Sequence, residues 1–267
     1  MSQFPQIAVP GEPLSTRGMA SLAANLPPEF RLQTLPMSAF RKQLTPSASQ
    51  LNALNSRQKL LRWPVSGIVL PCADSSEVLE AEVQHSEEDL PVITEQALSS
   101  PQSRQQFIEA VSARTEFDAV CADGCSAHDL IRFHSRYKYL LLSHSQPLYR
   151  ELGPLVADMA SWPSPAAFAL MYRHKLMALL RCPPTRENHT NVLMHIQGYF
   201  RPHLSGEQRQ ALAATIDRFR LGELPLSVPI AALKACLAEF PHEWIASQRY
   251  LFPYLSSEAD KTSVEEE

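Results

Sequence analysis

The spacing of apolar residues divides the chain near residue 100. Beyond that point apolar positions recur every three or four residues, the period of an amphipathic helix, whereas residues 1–99 show no such pattern over a long stretch. Ser100 followed by Pro101 is typical of a helix start, and Gly222 is typical of a helix end. The pattern therefore predicts a mainly α fold: about six to seven helices in one bundle over residues 100–255, without a sheet.

The first part of the chain predicts an N-terminal arm over residues 1–99. It is rich in proline, and it reads as an irregular segment or as a degenerate α/β remnant. Within it, residues 65–70 are the best strand candidate because they combine β-branched and apolar side chains. Residues 51–61 predict a short helix and residues 91–99 a linker. At the other end, residues 256–267 predict a disordered acidic tail.

Charge is distributed unevenly along the chain. Residues 1–125 carry 9 Lys and Arg against 14 Asp and Glu, whereas residues 126–255 carry 14 against 9 and hold eight of the nine histidines. The tail carries one Lys and five acids. A basic, histidine-rich body between acidic ends suits an anionic partner, although a net +5 is modest for a nucleic-acid-binding protein. The longest apolar runs are too short to span a bilayer and no secretory leader opens the chain, which predicts a cytoplasmic protein with no membrane contact.

The densest run of chemically active side chains spans residues 189–203, on a helix predicted from about residue 188 to residue 200. Asn191 and His195 are four residues apart and share a face, with Gly198 close to the same line. A glycine costs a helix about 1 kcal/mol relative to alanine, so Gly198 indicates close approach by a neighbouring helix or a ligand. Two readings remain open: the polar residues satisfy buried backbone groups, or they form a stripe exposed in a groove.

A second polar pattern begins the helix predicted after Ser126. Arg132 and Arg136 are four residues apart and share a face, and His134 and Lys138 share another. Arginine and lysine both bind phosphate, so one stripe is suited to a nucleic-acid backbone; a solvated helix face is the alternative. The histidines could instead act as general acids or bases, or add positive charge below about pH 6.5. No established catalytic signature appears, so the catalytic residues are unknown.

The five cysteines argue against a disulfide framework, because their number is odd and no leader precedes them. Cys121, Cys125 and His128 form the one arrangement suggestive of a metal, but a structural zinc site needs four ligands and no fourth lies nearby. We therefore expect neither a metal nor another cofactor.

Several stretches resemble one bacterial family, in unbroken order over roughly residues 126–255. The stretches that carry the resemblance are residues 133–145, 149–157, 189–200, 222–229 and 248–250. The chain resembles the YbgA-like family, domain of unknown function 1722. In longer relatives this domain follows a thiouracil-desulfidase domain, and residues 90–110 resemble the junction between the two. The combined protein removes sulfur from thiolated uridine in transfer RNA, and the YbgA-like part is understood to supply RNA binding.

The resemblance implies an RNA-binding accessory, with transfer RNA as the partner and a separate desulfidase or other nucleic-acid-processing enzyme beside it. Desulfidation itself needs three cysteines on an iron–sulfur cluster, and residues 1–99 offer only Cys72. An enzyme acting on a nucleotide or modified base and a protein–protein adaptor using the acidic arm remain alternatives. The residues expected to contact RNA are Arg132, His134, Arg136, Lys138, His144, Arg150, His189, Asn191, His195, Tyr199, Arg201, His203, Arg249 and Tyr250.

Overall fold

The computed structural model describes residues 5–10, 16–36, 38, 65–70, 89–122 and 126–253. These residues form two compact units. The first contains the described residues up to Ile131 together with Leu152–Arg181, and the second contains Arg132–Glu151 together with the described residues from Cys182 onward. The predicted helix at residues 51–61 and the predicted tail at 256–267 lie outside the described residues.

The prediction of a mainly α fold is confirmed for this part of the chain. The helices are α1 (Thr16–Ala23), α2 (Pro101–Ala122), α3 (Ala127–His144), α4 (Gln146–Ala157), α5 (Pro165–Leu180), α6 (Arg186–Phe200), α7 (Gly206–Arg220), α8 (Ser227–Glu239) and α9 (Glu243–Ala246). As predicted, the described residues after 100 contain no strand. The helices are shared between two units, whereas the sequence predicted a single bundle. None of them combines the length and the apolar character that crossing a membrane requires.

A small parallel sheet is the centre of the first unit. Its strands are β1 (Gln6–Pro10), β2 (Arg31–Leu35), β3 (Gly67–Leu70) and β4 (Val92–Thr94), in the spatial order β2-β1-β3-β4. All three pairings are parallel, and β3 is buried along its whole length. The described part of the N-terminal arm is thus an α/β structure, and the reading of it as irregular is wrong there. The reading of residues 91–99 as a linker is also wrong, because β4 and a 3-10 turn (Ala97–Ser99) occupy that range.

Helix α2 belongs to the same unit as the sheet, although the sequence placed a boundary before it. Every residue from Phe107 to Phe117 is buried. Because α2 packs against both β4 and α5, its middle has no solvent-facing side. The predicted boundary at residue 100 therefore lies within the first unit. The chain first passes into the second unit at Arg132.

Gly67 lets β3 approach α2 closely. A methyl group added at this position would lie 2.6 Å from Val111 Cγ2, 3.2 Å from Phe107 Cζ and 3.3 Å from Ile7 Cδ1. These neighbours are buried, so they have little room to move.

Gly67→Ala is therefore expected to lower the free energy of unfolding by about 1 to 3 kcal/mol through overpacking. Urea unfolding measures the change. Gly206→Ala, where an added methyl group would contact nothing within 4 Å, is the control and should change stability little.

Two fully buried arginines of the first unit share one carboxylate. Arg114 Nε lies 3.4 Å from Asp118 Oδ2, and Arg173 Nη1 lies 3.3 Å from Asp118 Oδ1. Arg114 also donates to the carbonyl oxygen of Asp89 at 2.9 Å, and the Asp89 carboxylate lies 2.8 Å from His174 Nδ1. A buried charge is tolerated only when it is paired, so this cluster ties α2 to α5 and to the start of the β4 segment.

The second unit is entirely helical in its described part, and its helices begin and end where capping residues stand. Ser205 forms a capping box with Gln208 at the start of α7, and Gly222 takes a φ of 86° after its end. Thr185 caps α6 by accepting from the Asn188 amide. Helices α6, α7 and α8 pack on one another, and the segment that includes α9 contacts α3.

Candidate nucleic-acid interface

The first part of the site is the outer side of α6. Val192, Leu193 and Ile196 are fully buried, so the opposite side of the helix faces outward. His195 and Gly198 are exposed there, and Asn191 is half-buried. A methyl group at Gly198 would meet nothing within 4 Å among the described residues. No described helix therefore approaches Gly198 closely, and the interpretation of an outward-facing stripe holds for His195.

The second part is a group of rings and one ammonium that we call the aromatic–lysine cluster: Lys138 and Tyr139 of α3, His195 and Tyr199 of α6, and Trp244 of α9. Lys138 Nζ lies 5.5 Å from the Tyr139 ring centroid and 5.4 Å from that of Trp244. The ring centroid of Trp244 lies 5.3 Å from that of Tyr199 and 5.5 Å from that of Tyr139. The ring centroids of Tyr139 and His195 are 6.5 Å apart. The cluster thus places a cation over aromatic faces at the meeting point of three helices.

Hydrogen bonds hold the cluster in position. Trp244 Nε1 donates to Ser135 Oγ at 2.8 Å, and Gln248 Nε2 donates to the Ser135 carbonyl oxygen at 3.0 Å. The Arg249 amide donates to the Arg136 carbonyl oxygen at 3.0 Å. The segment from Trp244 to Arg249 is therefore bound to the first half of α3, which fixes the direction of the indole ring.

Burial shifts the titration of three groups in or beside the cluster. Burial raises the pKa of Tyr139 well above its usual range, and a hydrogen bond with Tyr199 adds to the effect. Burial also raises the pKa of Tyr149. The His134 ring stacks on the Tyr149 ring, with 5.2 Å between the ring centroids. Burial, together with the charge of Lys138, lowers the pKa of His134 to about 4. His134 is therefore neutral near pH 6.5, so it adds no positive charge to the unit there.

The fourteen residues predicted to contact RNA fall into three groups by exposure. Exposed are Arg132, Arg150, His195, Arg201 and His203, and half-buried are His134, Arg136, Lys138, His189, Asn191 and Tyr199. Buried are His144, Arg249 and Tyr250.

The three buried residues hold the second unit together from inside. His144 Nδ1 is hydrogen-bonded to the Cys182 carbonyl oxygen at 2.7 Å, and its own carbonyl oxygen accepts from Asn188. Tyr250 is hydrogen-bonded through its hydroxyl to His189 at 3.1 Å. Because direct contact requires an exposed side chain, the prediction that His144, Arg249 and Tyr250 contact RNA is not carried into the interface proposed below.

Trp244, Ser135, Tyr139 and Tyr149 belong to the site, and none of them was among the predicted residues. Trp244, on the short helix α9, belongs to neither polar pattern of the sequence, and Ser135 and Tyr139 lie between the Arg132/Arg136 face and the His134/Lys138 face. Trp244 and Ser135 become significant through each other, and they are 109 residues apart in the chain. The aromatic character of this short C-terminal helix was the signal that could have found it.

The first unit has a cavity of its own, of about 660 Å³, beside β4. Its walls come mainly from apolar residues of β4, α2 and α5, and Asp89 and Arg181 are its charged lining residues. None of the fourteen predicted residues lines it. The cavity is therefore separate from the polar residues that the sequence singled out.

Metal-ligating residues do not converge in the described ranges: no group of three or more His, Cys, Asp or Glu side chains is placed to hold an ion there. Cys121 is disulfide-bonded, although the number of cysteines argued against a disulfide framework. The disulfide removes the Cys121 thiolate as a metal ligand. Cys182 and Cys236 are free thiols. Cys125 and Cys72 lie outside the described residues.

Comparison with known proteins defines the class. Residues 138–254 match the family described as protein of unknown function DUF1722. The chain belongs to this YbgA-like family. Over 127 residues it is 47% identical to an uncharacterized protein, YbgA of Escherichia coli (strain K12). The aligned stretch covers 48% of this chain and 75% of that relative. No solved structure matches. The resemblance to the YbgA-like family that the sequence indicates is thereby confirmed.

Proposed function

We propose that the second unit binds RNA, with transfer RNA as its partner, and serves as an accessory to an enzyme that processes thionucleotides or other modified bases. The proposal combines two kinds of support. The described residues of the unit supply charge and stacking surfaces suited to nucleic acid, and the choice of transfer RNA comes from the family resemblance alone.

The observation that carries the proposal is the state of the exposed arginines. Arg218 lies 3.0 Å from Glu223 and Arg220 lies 2.7 Å from Asp217, so a neighbouring carboxylate already neutralises each of them. By contrast, Arg132, Arg150 and Arg201 are exposed and form no ion pair with any described residue. A guanidinium without a carboxylate partner is available to bind phosphate, often through two parallel hydrogen bonds.

The charge of the second unit supports the same proposal. Its described residues contain eleven Lys and Arg against seven Asp and Glu, a net +4, together with six histidines. The aromatic–lysine cluster adds aromatic rings to the same unit. Proteins that bind single-stranded nucleic acid combine these two features, because cations follow the backbone while rings stack with bases.

Replacing Arg132, Arg150 and Arg201 together by alanine tests the proposal in the full chain. Each phosphate contact contributes about 0.7 to 0.9 to the slope of log affinity against log salt, so the triple variant should flatten this slope for transfer RNA by about two to three units. Filter binding at several salt concentrations measures the slope. Arg136, which the sequence placed on the same helix face as Arg132, is left unchanged because its side chain is half-buried.

The matched control replaces Arg209, Arg218 and Arg220 by alanine. This variant loses the same three formal charges from the same unit, but two of these arginines already bind carboxylates. Its slope should differ from that of the parent by less than one unit. Equal slopes for the two triple variants would show that only net charge matters. Absence of transfer RNA binding at low salt would refute the proposal and favour an enzyme or an adaptor.

A further inference from the structure

We infer that the aromatic–lysine cluster is a binding site for one unpaired nucleotide, whose base stacks on the Trp244 ring while its phosphate meets Lys138. This inference rests on the proposed RNA binding and names the part of the RNA that the second unit recognises. It requires a strand with an unstacked base, such as a loop, because a paired base does not expose its face.

The chemistry of the ligand follows from what the cluster already contains. An aromatic cage that binds a cationic ligand must leave its ring faces open to the cation, but here the ammonium of Lys138 occupies that place over Trp244 and Tyr139. A simple anion would need the lysine and not the rings. A nucleotide needs both, since it joins a planar base to a phosphate.

Lys138 is suited to exchange one partner for the other. Its ammonium is carried on a flexible four-carbon chain, and the side chain is half-buried. When a base takes the place of the ammonium over the Trp244 ring, the ammonium gives up its contact with the ring and pairs with the phosphate instead. The indole ring itself stays in place, because its Nε1–H is bonded to Ser135 and Tyr199 packs on it.

Groups that can read the base surround the rings. His195 is exposed and Asn191 stands one turn before it on α6. The imidazole of His195 and the amide of Asn191 can form hydrogen bonds with the edge of a base.

Gly198 is consistent with a ligand at this place. It lies one residue before Tyr199 and three after His195, and an added methyl group would meet no described atom within 4 Å. A glycine in the middle of an exposed helix costs about 1 kcal/mol relative to alanine, and no described neighbour of Gly198 requires it. The space that it leaves above α6 is available to the ribose or the base.

The test uses the full chain labelled with ¹⁵N and titrated with uridine 5′-monophosphate, adenosine 5′-monophosphate, uridine or inorganic phosphate. The three tryptophans give three indole signals, and the Trp244→Phe variant assigns the one that matters. The Trp244 signal should shift with both nucleotides. Inorganic phosphate alone should leave it in place. An unmoved Trp244 signal at millimolar nucleotide would overturn the inference.

Lys138→Met is the decisive variant, because methionine keeps an apolar chain over the rings and removes the charge. It should weaken binding of the monophosphates about tenfold, as expected for the loss of one charge-assisted contact, and leave binding of uridine unchanged. Lys234→Met is the matched control: Lys234 Nζ also lies over a ring of the second unit, 4.6 Å from the centroid of Phe252. Equal effects of the two variants would mean that the lysine on the rings only supports the fold.

Comparison with the arginine variants separates this inference from the proposed function. If transfer RNA binds with the expected salt dependence but the Trp244 signal never moves, RNA binding stands and the nucleotide site fails. If mononucleotides move the signal while no RNA binds at low salt, the proposed function fails and the cluster is a site for free nucleotides.

Discussion

Asp118→Ala is expected to lower the free energy of unfolding by about 3 to 5 kcal/mol, because it leaves two buried guanidinium groups without their shared carboxylate. Arg114 and Arg173 are each almost fully buried, and both contact Asp118 through separate oxygens. Losing one partner of a buried ion pair costs far more than the pair contributes, since the remaining charge stays desolvated. Urea unfolding followed by circular dichroism measures the change.

Two further variants show whether the effect comes from the buried charges. Asp118→Asn keeps the size of the side chain and should still lose more than 1 kcal/mol. Asp217→Ala breaks the exposed pair with Arg220 and should change stability by less than about 1 kcal/mol. If Asp118→Ala were as mild as Asp217→Ala, the arginine cluster would contribute little to holding α2 and α5 together.

Stability is also expected to fall as the pH is lowered from 7 to 5, with His134 as one source. The folded pKa of His134 is about 4 and the unfolded pKa is near 6.5, so the unfolded chain takes up this proton first. Between these two values each pH unit favours the unfolded state by about 1.4 kcal/mol. His134 should therefore account for about 2 kcal/mol of lost stability between pH 7 and pH 5, and for no further loss below about pH 4.

The contribution of His134 is isolated by comparing the parent chain with His134→Gln at each pH, because the carboxylates titrate equally in both. The difference in unfolding free energy between the two proteins should change by about 2 kcal/mol from pH 7 to pH 5. His128→Gln removes a histidine whose side chain is 83% exposed and serves as the control. A pH-independent difference for His134→Gln would mean that His134 is protonated as readily in the folded chain as in the unfolded one.

The helical part of the fold was largely legible from local sequence signals, because helix starts and ends are determined within a few residues. Ser100, Ser164 and Ser205 mark helix starts where the structure has them, and Gly222 marks the end of α7. The sheet was harder to predict. Its strands are three to five residues long and far apart in sequence, so β1, β2 and β4 were not recognised, whereas the β-branched run of β3 was.

The site was predictable only as a set of residues. Spacing on one helix identifies which side chains share a face, but it left open whether the face with His195 is buried or exposed. It does not show which faces another helix covers, so His144 was expected at the surface although it is buried. The packing of Trp244 onto α3 depends on the whole second unit, and no local pattern encodes that contact.

The path of the chain limits how the proposed interface can be transferred to another protein. The polypeptide enters the second unit at Arg132, leaves it at Leu152 to contribute α5 to the first, and enters it again at Cys182. Recombination at two breakpoints around the family match would therefore also transfer α5, whose apolar residues are buried in the first unit. A gene fusion that inherits the interface without α2 and the sheet must provide another cover for those residues, or replace them with polar ones.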